Sequence, residues 1–223
     1  MKILAVGDLH FRKPWFEWVR AQAGNFDAVC LTGDLLDMFD TDERGLRRQA
    51  DWVLRWLAIF PKTTRCFVVS GNHDVWEDDR RYHLGAWLQR ARRAGISVDG
   101  DVTTVGDCTV VCWPWFGSVA LPNTGKVIVV AHAPPAGCSV ATKDGSDCGD
   151  IDVRFLAEKI QGGLILSGHV HQPKSWISRV GHAVCLNPGC DLKAPIPHHL
   201  VIDTTRGRAE LRRFGENAKG ALL

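Results

Sequence analysis

The sequence lacks several features that would assign the protein to an extracellular, membrane or polymer-binding class. Its first residues, MKILAVGDLH, contain no apolar stretch of signal-peptide length, because Asp8 interrupts them. No run approaches the roughly 20 apolar residues of a membrane span. Lys and Arg number 27 and Asp and Glu 25, so the net charge of +2 creates no strong field toward nucleic acid or lipid. We therefore expect a cytoplasmic protein that acts away from membranes, with nucleic acid as a less favoured class of substrate.

Cysteine pairs with the C-x-x-C spacing of metal-binding and redox motifs are also missing. None of the eight cysteines forms a C-x-x-C motif, and without a secretory signal we predict reduced thiols. Five of them lie in runs that resemble buried strands, where cysteine acts as a small hydrophobic residue. Cys138 and Cys148 flank a polar, glycine-rich loop instead, and could either lie near a site or pair under oxidation. The sequence assigns them no role.

The chain contains no repeat, no low-complexity segment and no long Pro/Gly/Ser linker, so its 223 residues predict a single domain over residues 1–223. Short apolar runs alternate with segments of helical period, which indicates an α/β fold. The predicted helices are Pro14–Ala23, Asp42–Phe60, Tyr82–Ala94 and Asp152–Gln161. The predicted strands are Lys2–Val6, Ala28–Thr32, Cys66–Ser70, Thr109–Trp113, Val127–Ala131, Leu164–Ser167, Ala183–Leu186, Leu200–Asp203 and Ala209–Phe214.

Polar side chains of the metal-ligand type follow five of these strands. They are Asp8 and His10 after the first, Asp34 and Asp37 after the second, Asn72, His73 and Asp74 after the third, His132 after the fifth, and His169 and His171 after the sixth. Loops beyond the carboxyl ends of strands in an α/β sheet converge on one crevice, so these residues can meet although they span most of the chain. Glycine precedes many of them, which permits close approach of the backbone.

The residue types narrow the chemistry of such a site. Carboxylates, imidazoles and one amide, without thiolates, suit Mn, Fe, Zn or a similar first-row ion better than a structural zinc site or a calcium cage. A single Gly-Asp after a strand is more often a turn or helix cap, and a single histidine is more often a core or surface residue. Five such elements in order, each after a strand, favour a metal site over coincidence.

Together these elements resemble the signature blocks of the calcineurin-like metallophosphoesterases. The blocks are Gly7-Asp8-Leu9-His10, Gly33-Asp34-Leu35-Leu36-Asp37, Gly71-Asn72-His73-Asp74, Ala131-His132-Ala133-Pro134-Pro135 and Gly168-His169-Val170-His171. The resemblance covers about Met1 to Asp191, and the combination is specific where a single block would not be. It implies a four-layer α/β/β/α sandwich of two mixed sheets flanked by helices.

The resemblance also implies a dinuclear centre of divalent or mixed-valence ions, with Mn, Fe, Zn and Ni as candidates. By analogy the first ion would take Asp8, His10, Asp34 and His171, and the second would take Asp34, Asn72, His132 and His169. Asp34 would then bridge two cations about 3.5 to 4 Å apart, a separation that clamps the attacking and leaving oxygens of an in-line displacement. A metal-bridging hydroxide would be the nucleophile.

Three further residues receive roles around this centre. His73 is expected to assist the leaving group, by donating a proton or by stabilising charge on the phosphoryl oxygens. Asp74 either orients the His73 imidazole or caps the following helix, and the two alternatives are equally favoured. Asp37 is expected to support the ligands without binding metal. The four ligand positions of each ion, eight in all, are already filled with Asp8 and Asp34 as the carboxylates, so a third carboxylate is not needed.

The expected substrate is a small-molecule or nucleotide phosphoester. The block spacing, with Pro134-Pro135 and Asn187-Pro188-Gly189, resembles small single-domain phosphodiesterases, so we favour phosphodiesters and include cyclic nucleotides. The aromatic segment 113–116 could stack on a base or fill the core, and the sequence favours the core. Loop 133–150 is the better candidate for a segment that covers the substrate. The alternatives are a phosphomonoesterase, a nuclease or a silent scaffold of the same fold, and the complete ligand set disfavours the scaffold.

Overall fold

A computed structural model describes residues 1–39, 41–76, 83–121 and 125–223. Fourteen strands occur among the described residues: β1 (Lys2–Val6), β2 (Ala28–Leu31), β3 (Arg65–Val68), β4 (Val102–Val105), β5 (Cys108–Cys112), β6 (Lys126–Val130), β7 (Thr142–Lys143), β8 (Ser146–Asp147), β9 (Gly163–Leu166), β10 (Ile177–Val180), β11 (Ala183–Leu186), β12 (His199–Asp203), β13 (Arg208–Arg212) and β14 (Lys219–Leu222). The helices are α1 (Lys13–Ala23), α2 (Glu43–Ala58) and α3 (Ile151–Lys159), with 3-10 helices at Asn72–Asp74 and His83–Ala94.

Twelve of these strands form two six-stranded mixed sheets, and β7 and β8 pair with each other in a separate hairpin. The first has the order β14-β13-β12-β1-β2-β3, and the second has the order β10-β11-β9-β6-β5-β4. Within the first, β1, β2 and β3 are parallel, while β12, β13 and β14 extend the sheet by antiparallel pairing. Within the second, β5, β6, β9 and β11 are parallel, with β4 and β10 antiparallel at the edges. The parallel strands of each sheet therefore direct their carboxyl ends to one edge.

Side-chain alternation along the strands produces the layers. In β1, Ile3 and Ala5 join a core between the two sheets, whereas Leu4 and Val6 pack with Trp15 of α1 and the α2 side chains. A third core lies between the second sheet and α3. Because successive strand residues point to opposite faces, a strand buried on both faces is apolar throughout. These three cores confirm the predicted four-layer α/β/β/α architecture.

The predicted elements differ from the observed ones mainly at sheet edges. β1 and β11 have the predicted bounds, but β4, β10 and β14 were not anticipated. These strands carry exposed or half-buried residues at most positions, so they show no continuous apolar run. The segment predicted as a helix from Tyr82 is a 3-10 helix over His83–Ala94, and Tyr82 itself lies outside the described residues. No described helix is long and apolar enough to cross a membrane.

The cysteines are free thiols, and all but Cys148 are buried. Burial raises the pKa of the Cys30 and Cys66 thiols, which is typical of unreactive core cysteines. Cys138 donates a hydrogen bond to the Pro135 carbonyl at 2.9 Å, and burial also raises the pKa of its thiol. The structure therefore gives Cys138 a packing role at the base of loop 133–150.

Candidate metal centre

The five loops that carry the signature residues meet at the carboxyl ends of β1, β2, β3, β6 and β9. Main-chain hydrogen bonds join them directly: the Asp8 N–H donates to the Gly33 carbonyl at 3.0 Å, and the His10 N–H donates to the Asp34 carbonyl at 2.9 Å. In the second sheet the Gly168 N–H donates to the His132 carbonyl at 2.9 Å. These bonds fix adjacent loops against each other, so the side chains they carry share one site.

Backbone strain concentrates at these loops. Six non-glycine residues among those described have positive φ, and four of them are predicted ligands: Asp8 (54°), His10 (40°), Asp34 (52°) and His169 (66°). The left-handed region is sparsely populated by residues other than glycine and persists where surrounding structure enforces it. This clustering at predicted ligands marks the strand ends as a functional site.

Two of the glycines that precede ligands are needed for close approach. A Cβ on Gly71 would lie 2.2 Å from Oδ1 of Asp34, and a Cβ on Gly168 would lie 2.6 Å from Oδ2 of Asp8. Real side chains do not reach such distances, so each glycine leaves room for a carboxylate supplied by another block. The Gly-ligand pattern in the sequence therefore reflects packing between blocks as well as local turns.

One group of ligand atoms gathers on the Oδ2 side of Asp34. Nε2 of His10 lies 3.1 Å from Nε2 of His171 and 3.8 Å from Oδ2 of Asp34, and Nε2 of His171 lies 3.6 Å from Oδ1 of Asp8. Ligand atoms lie about 2.0 to 2.2 Å from a first-row metal ion, so two ligands of one ion are separated by roughly 3 to 4 Å. Asp8, His10 and His171 thus form a cluster of the size that a metal ion requires.

A second group gathers on the Oδ1 side of Asp34. Nε2 of His132 lies 3.3 Å from Oδ1 of Asp34 and 3.0 Å from Oδ1 of Asn72. The His169 ring centroid lies 5.0 Å from that of His132, and the His169 N–H donates to Oδ1 of Asp8. His169 belongs to neither of the compact clusters that contain Asp34, although it borders the second group.

An orphaned carboxylate oxygen tests whether a cation fits these residues. Asp8 is fully buried, and its Oδ2 has no hydrogen-bond partner among the residues that the structure describes. A buried carboxylate oxygen without a donor is costly unless a cation satisfies it. The mixed oxygen and nitrogen donors around it suit a first-row ion, so the residues present fit the metal centre that the sequence implies.

His132 and His73 differ in the hydrogen bond made by Nδ1, which is a donor in His132 and an acceptor in His73. Nδ1 of His132 lies 2.7 Å from the Thr32 carbonyl, which can only accept, so Nδ1 carries a proton. Nε2 is then the nitrogen that would offer its lone pair to a cation in the site. His73 is the reverse, because its Nδ1 accepts from the Met38 N–H at 3.3 Å. Because Nδ1 is the acceptor, the N–H of the His73 ring is on Nε2, which is directed toward Oδ2 of Asp34, 4.0 Å away. His10, Asp34 and His73 lie close enough to hold an ion, but this tautomer makes His73 a donor.

The predicted orienting role of Asp74 is wrong. The carboxylate of Asp74 accepts from the N–H groups of Leu35, Leu36 and Gly71 at 2.9 to 3.2 Å, and the Nδ1 of His73 is occupied by Met38 instead. The following helix begins at His83, so Asp74 does not cap it either; its carboxylate instead closes its own 3-10 turn and joins the second block to the third. Burial and the Asp34 charge raise the pKa of Asp74 to about 7, while the three N–H groups favour its ionised form.

Asp37 lies in none of the three clusters of metal-ligand type found among the described residues. Its carboxylate accepts the Phe39 N–H at 3.1 Å, and its main chain is bound on both sides by Gln49, whose Oε1 accepts the Asp37 N–H at 2.8 Å. It therefore shapes the loop beside His73.

Several contributing residues were missed by the sequence or given the wrong weight. Asn187, fully buried, donates from Nδ2 to the carbonyls of Gly168 and Val170, on either side of His169. Trp113 fills the core as favoured, but the half-buried Trp115 ring lies against His132 and His169, with centroids 5.4 and 5.6 Å apart. The signal for Asn187 was its place in an Asn-Pro-Gly turn after the last ligand, which indicated no specific partner.

Neighbouring charged groups in the site shift one another's pKa values. Burial opposes ionisation of Asp34, but the His132 and His73 imidazoles outweigh it and hold the pKa of Asp34 below its usual range. Burial alone would lower the pKa of His132, whereas Asp34 raises it to about 9. Burial lowers the pKa of His10 and of His169, while Asp8 raises that of His171 and Lys143 opposes this rise. The positive charge of Lys143, in loop 133–150, thus acts on His171.

Comparison with known proteins identifies the family and the fold. Residues 1–173 match the family model of the calcineurin-like phosphoesterases. The fold is similar to that of TT1561 of Thermus thermophilus (14% identity, TM-score 0.56, covering 99% of this chain and 98% of that one). It is also similar to that of YfcE, a phosphoesterase from E. coli (14% identity, TM-score 0.52, covering 100% and 99%). No curated protein sequence matches the chain. The family match over more than three quarters of the chain shows that this protein belongs to the calcineurin-like phosphoesterases, whose shared function is metal-dependent hydrolysis of phosphate esters.

Proposed function

We propose that the protein is a dinuclear-metal phosphodiesterase. Two ions would be held by the predicted ligands, one by Asp8, His10, Asp34 and His171 and the other by Asp34, Asn72, His132 and His169. The observation that carries the proposal is the division of ligand atoms between the two oxygens of Asp34: Oδ2 faces His10, and Oδ1 faces His132. Bound there, the ions supply Lewis acidity and an activated water.

His73 would act on the leaving group. Its Nε2–H points into the site because Met38 occupies Nδ1, and the Asp34 Oδ1 also accepts the His73 main-chain N–H at 2.9 Å. The ring is buried and packs edge-on against His10, with centroids 4.5 Å apart. A fixed donor at this place can protonate or stabilise a departing oxygen, a role that contributes about 10²- to 10⁴-fold in enzymes.

Aromatic side chains on both sides of Asp34 favour a diester. Phe39 lies beside His73 on the Oδ2 side, and Trp115 lies beside His132 and His169 on the Oδ1 side. Phe116, mostly exposed, extends the second side. A phosphomonoester has one organic group and a phosphodiester has two, so an aromatic surface on each side suits the diester.

A basic patch for nucleic acid could come from Arg90, Arg92 and Arg93 of the His83–Ala94 helix, but two of these three arginines pair with carboxylates. Arg90 pairs with Asp51 at 3.1 Å, and Arg92 pairs with Asp101 at 2.7 Å. Paired arginines contribute little to binding a phosphate backbone, which depends on uncompensated positive charge. Nucleic acid therefore remains the less favoured substrate.

A direct test is metal analysis followed by a substrate panel. The protein is stripped with chelator, reloaded separately with Mn, Fe, Zn or Ni, and assayed on bis-4-nitrophenyl phosphate, 4-nitrophenyl phosphate, cyclic nucleotides and single-stranded DNA. We expect two ions per chain and faster hydrolysis of the diester than of the monoester with manganese. The opposite ranking would overturn the diesterase proposal, and no metal-dependent hydrolysis at all would overturn the assigned chemistry.

A further inference from the structure

A buried amide fixes the loop that follows the second signature block. Gln49 lies on the buried face of α2, only 8% exposed, where an unpaired polar side chain would be costly. Its Oε1 accepts the Asp37 N–H at 2.8 Å, and its Nε2 donates to the Asp37 carbonyl at 3.2 Å. Both main-chain groups of Asp37 are therefore tied to a helix of the core.

The next two residues are tied in turn. The Met38 N–H donates to Nδ1 of His73 at 3.3 Å, and the Phe39 N–H donates to Oδ1 of Asp37 at 3.1 Å. One short segment thus sets the tautomer of His73 and the position of Phe39. The buried Gln49 belongs to α2 and contacts this segment only through the main chain of Asp37 among the contacts described.

Phe39 presents an almost free aromatic ring beside His73. Its centroid lies 4.6 Å from that of the imidazole at an interplanar angle of 89°, yet 86% of the residue is exposed. Phe16, in contrast, is fully buried in the core beside Trp52 and Trp56. The Phe39 ring adds little to the core, and most of its surface is free beside the His73 imidazole.

We propose that Phe39 is the surface on which the leaving group of the ester rests, and that Gln49 positions it through Asp37. This inference rests on the proposed function, because it takes His73 as the group that acts on the departing oxygen. A flat ring accepts another flat ring by stacking without requiring a particular pattern of hydrogen bonds. The substrate class is therefore phosphodiesters whose departing alcohol carries a flat aromatic group.

The first test uses two methyl phosphodiesters that differ only in the leaving group, one aryl and one fluorinated alkyl alcohol of matched pKa. We expect Phe39→Ala to lower kcat/KM about tenfold on the aryl ester and less than twofold on the alkyl ester. Phe39→Tyr should retain the aryl preference, and Phe155→Ala, which removes an exposed ring on α3, should leave both rates unchanged.

The outcomes separate this inference from the proposed function. Equal losses on both esters, or no loss on either, would overturn the role of Phe39 while the hydrolase assignment stands. Absence of metal-dependent hydrolysis of both esters by the unaltered protein would overturn the proposed function and this inference with it.

The second test concerns Gln49. Gln49→Leu should reduce the ratio of aryl to alkyl kcat/KM as Phe39→Ala does, a ratio that does not change with the fraction of folded protein. The double variant should show no further reduction in the ratio, because the two changes act through one ring. An unchanged ratio in Gln49→Leu, or a ratio that falls additively in the double variant, would overturn the positioning role.

Discussion

The two sides of Asp34 use the same residue type for different purposes. On the Oδ1 side, His132 donates from Nδ1 to the Thr32 carbonyl, which leaves the Nε2 lone pair for a ligand role. On the Oδ2 side, His73 accepts at Nδ1 from the Met38 N–H, which leaves an Nε2–H donor. The main-chain group behind each ring therefore distinguishes a metal-ligand type of histidine from a proton-donor type, where residue identity alone cannot.

The largest loss of activity is expected from a substitution at Asp34, the residue that both sides share. Asp34→Asn should lose at least one ion and reduce turnover by more than about 10⁴-fold, since it removes a carboxylate that faces both groups and also receives the His73 N–H. Metal content and diester hydrolysis measure this. Asp107→Asn is the matched control, because Asp107 is exposed and bonded to Lys126. Full metal content in Asp34→Asn would contradict the bridging role.

Metal content and kcat should distinguish His73 from His132, with a smaller loss of turnover than at Asp34. His73→Ala should keep the metal content and lose about 10²- to 10⁴-fold in kcat on an ester with a poor leaving group, with a smaller loss on a good one. His132→Ala should lose metal. Near-normal turnover of the poor-leaving-group ester by His73→Ala would show that His73 is no acid.

The link between the second and third blocks should affect stability. Asp74→Asn replaces one acceptor oxygen with an amide donor opposite buried N–H groups, so we expect a loss of about 1 to 3 kcal/mol in the free energy of unfolding. Denaturant unfolding of the metal-free protein measures this, with Asp203→Asn at the end of β12 as a less buried comparison. Unchanged stability would mean that the carboxylate does not join the blocks.

The smallest predicted effect sharpens the difference between the aromatic surfaces. Trp115→Ala should raise KM for bis-4-nitrophenyl phosphate about tenfold with little change in kcat, because stacking is lost while His73 is untouched. Trp18→Ala serves as a control, since that ring lies against His199 away from the site. A large fall in kcat instead would show that Trp115 supports the ligands His132 and His169 rather than the substrate.

The site was more predictable than the edges of the fold. Ligand-type residues recur after strands because that chemistry constrains residue type and order, and all five blocks converge as expected. The β4 and β14 strands were missed because half-exposed edge strands need no continuous apolar run. Asp74 was misassigned in part because its partners are main-chain N–H groups 38 and 39 positions away in sequence, which leave no mark on the sequence.

By itself the sequence determined the α/β class, the five blocks and their ligand types, because strand-end polar residues and the glycines beside them follow from local chemistry. Tertiary structure alone decided which nitrogen of each histidine faces the site, that Trp115 lies against His132 and His169 while Trp113 fills the core, and that Gln49 holds the main chain of Asp37. Those outcomes depend on atoms from distant segments meeting within about 3 Å, the range of a hydrogen bond. The packing of the two sheets and their loops determines these contacts, and a local sequence pattern does not predict them.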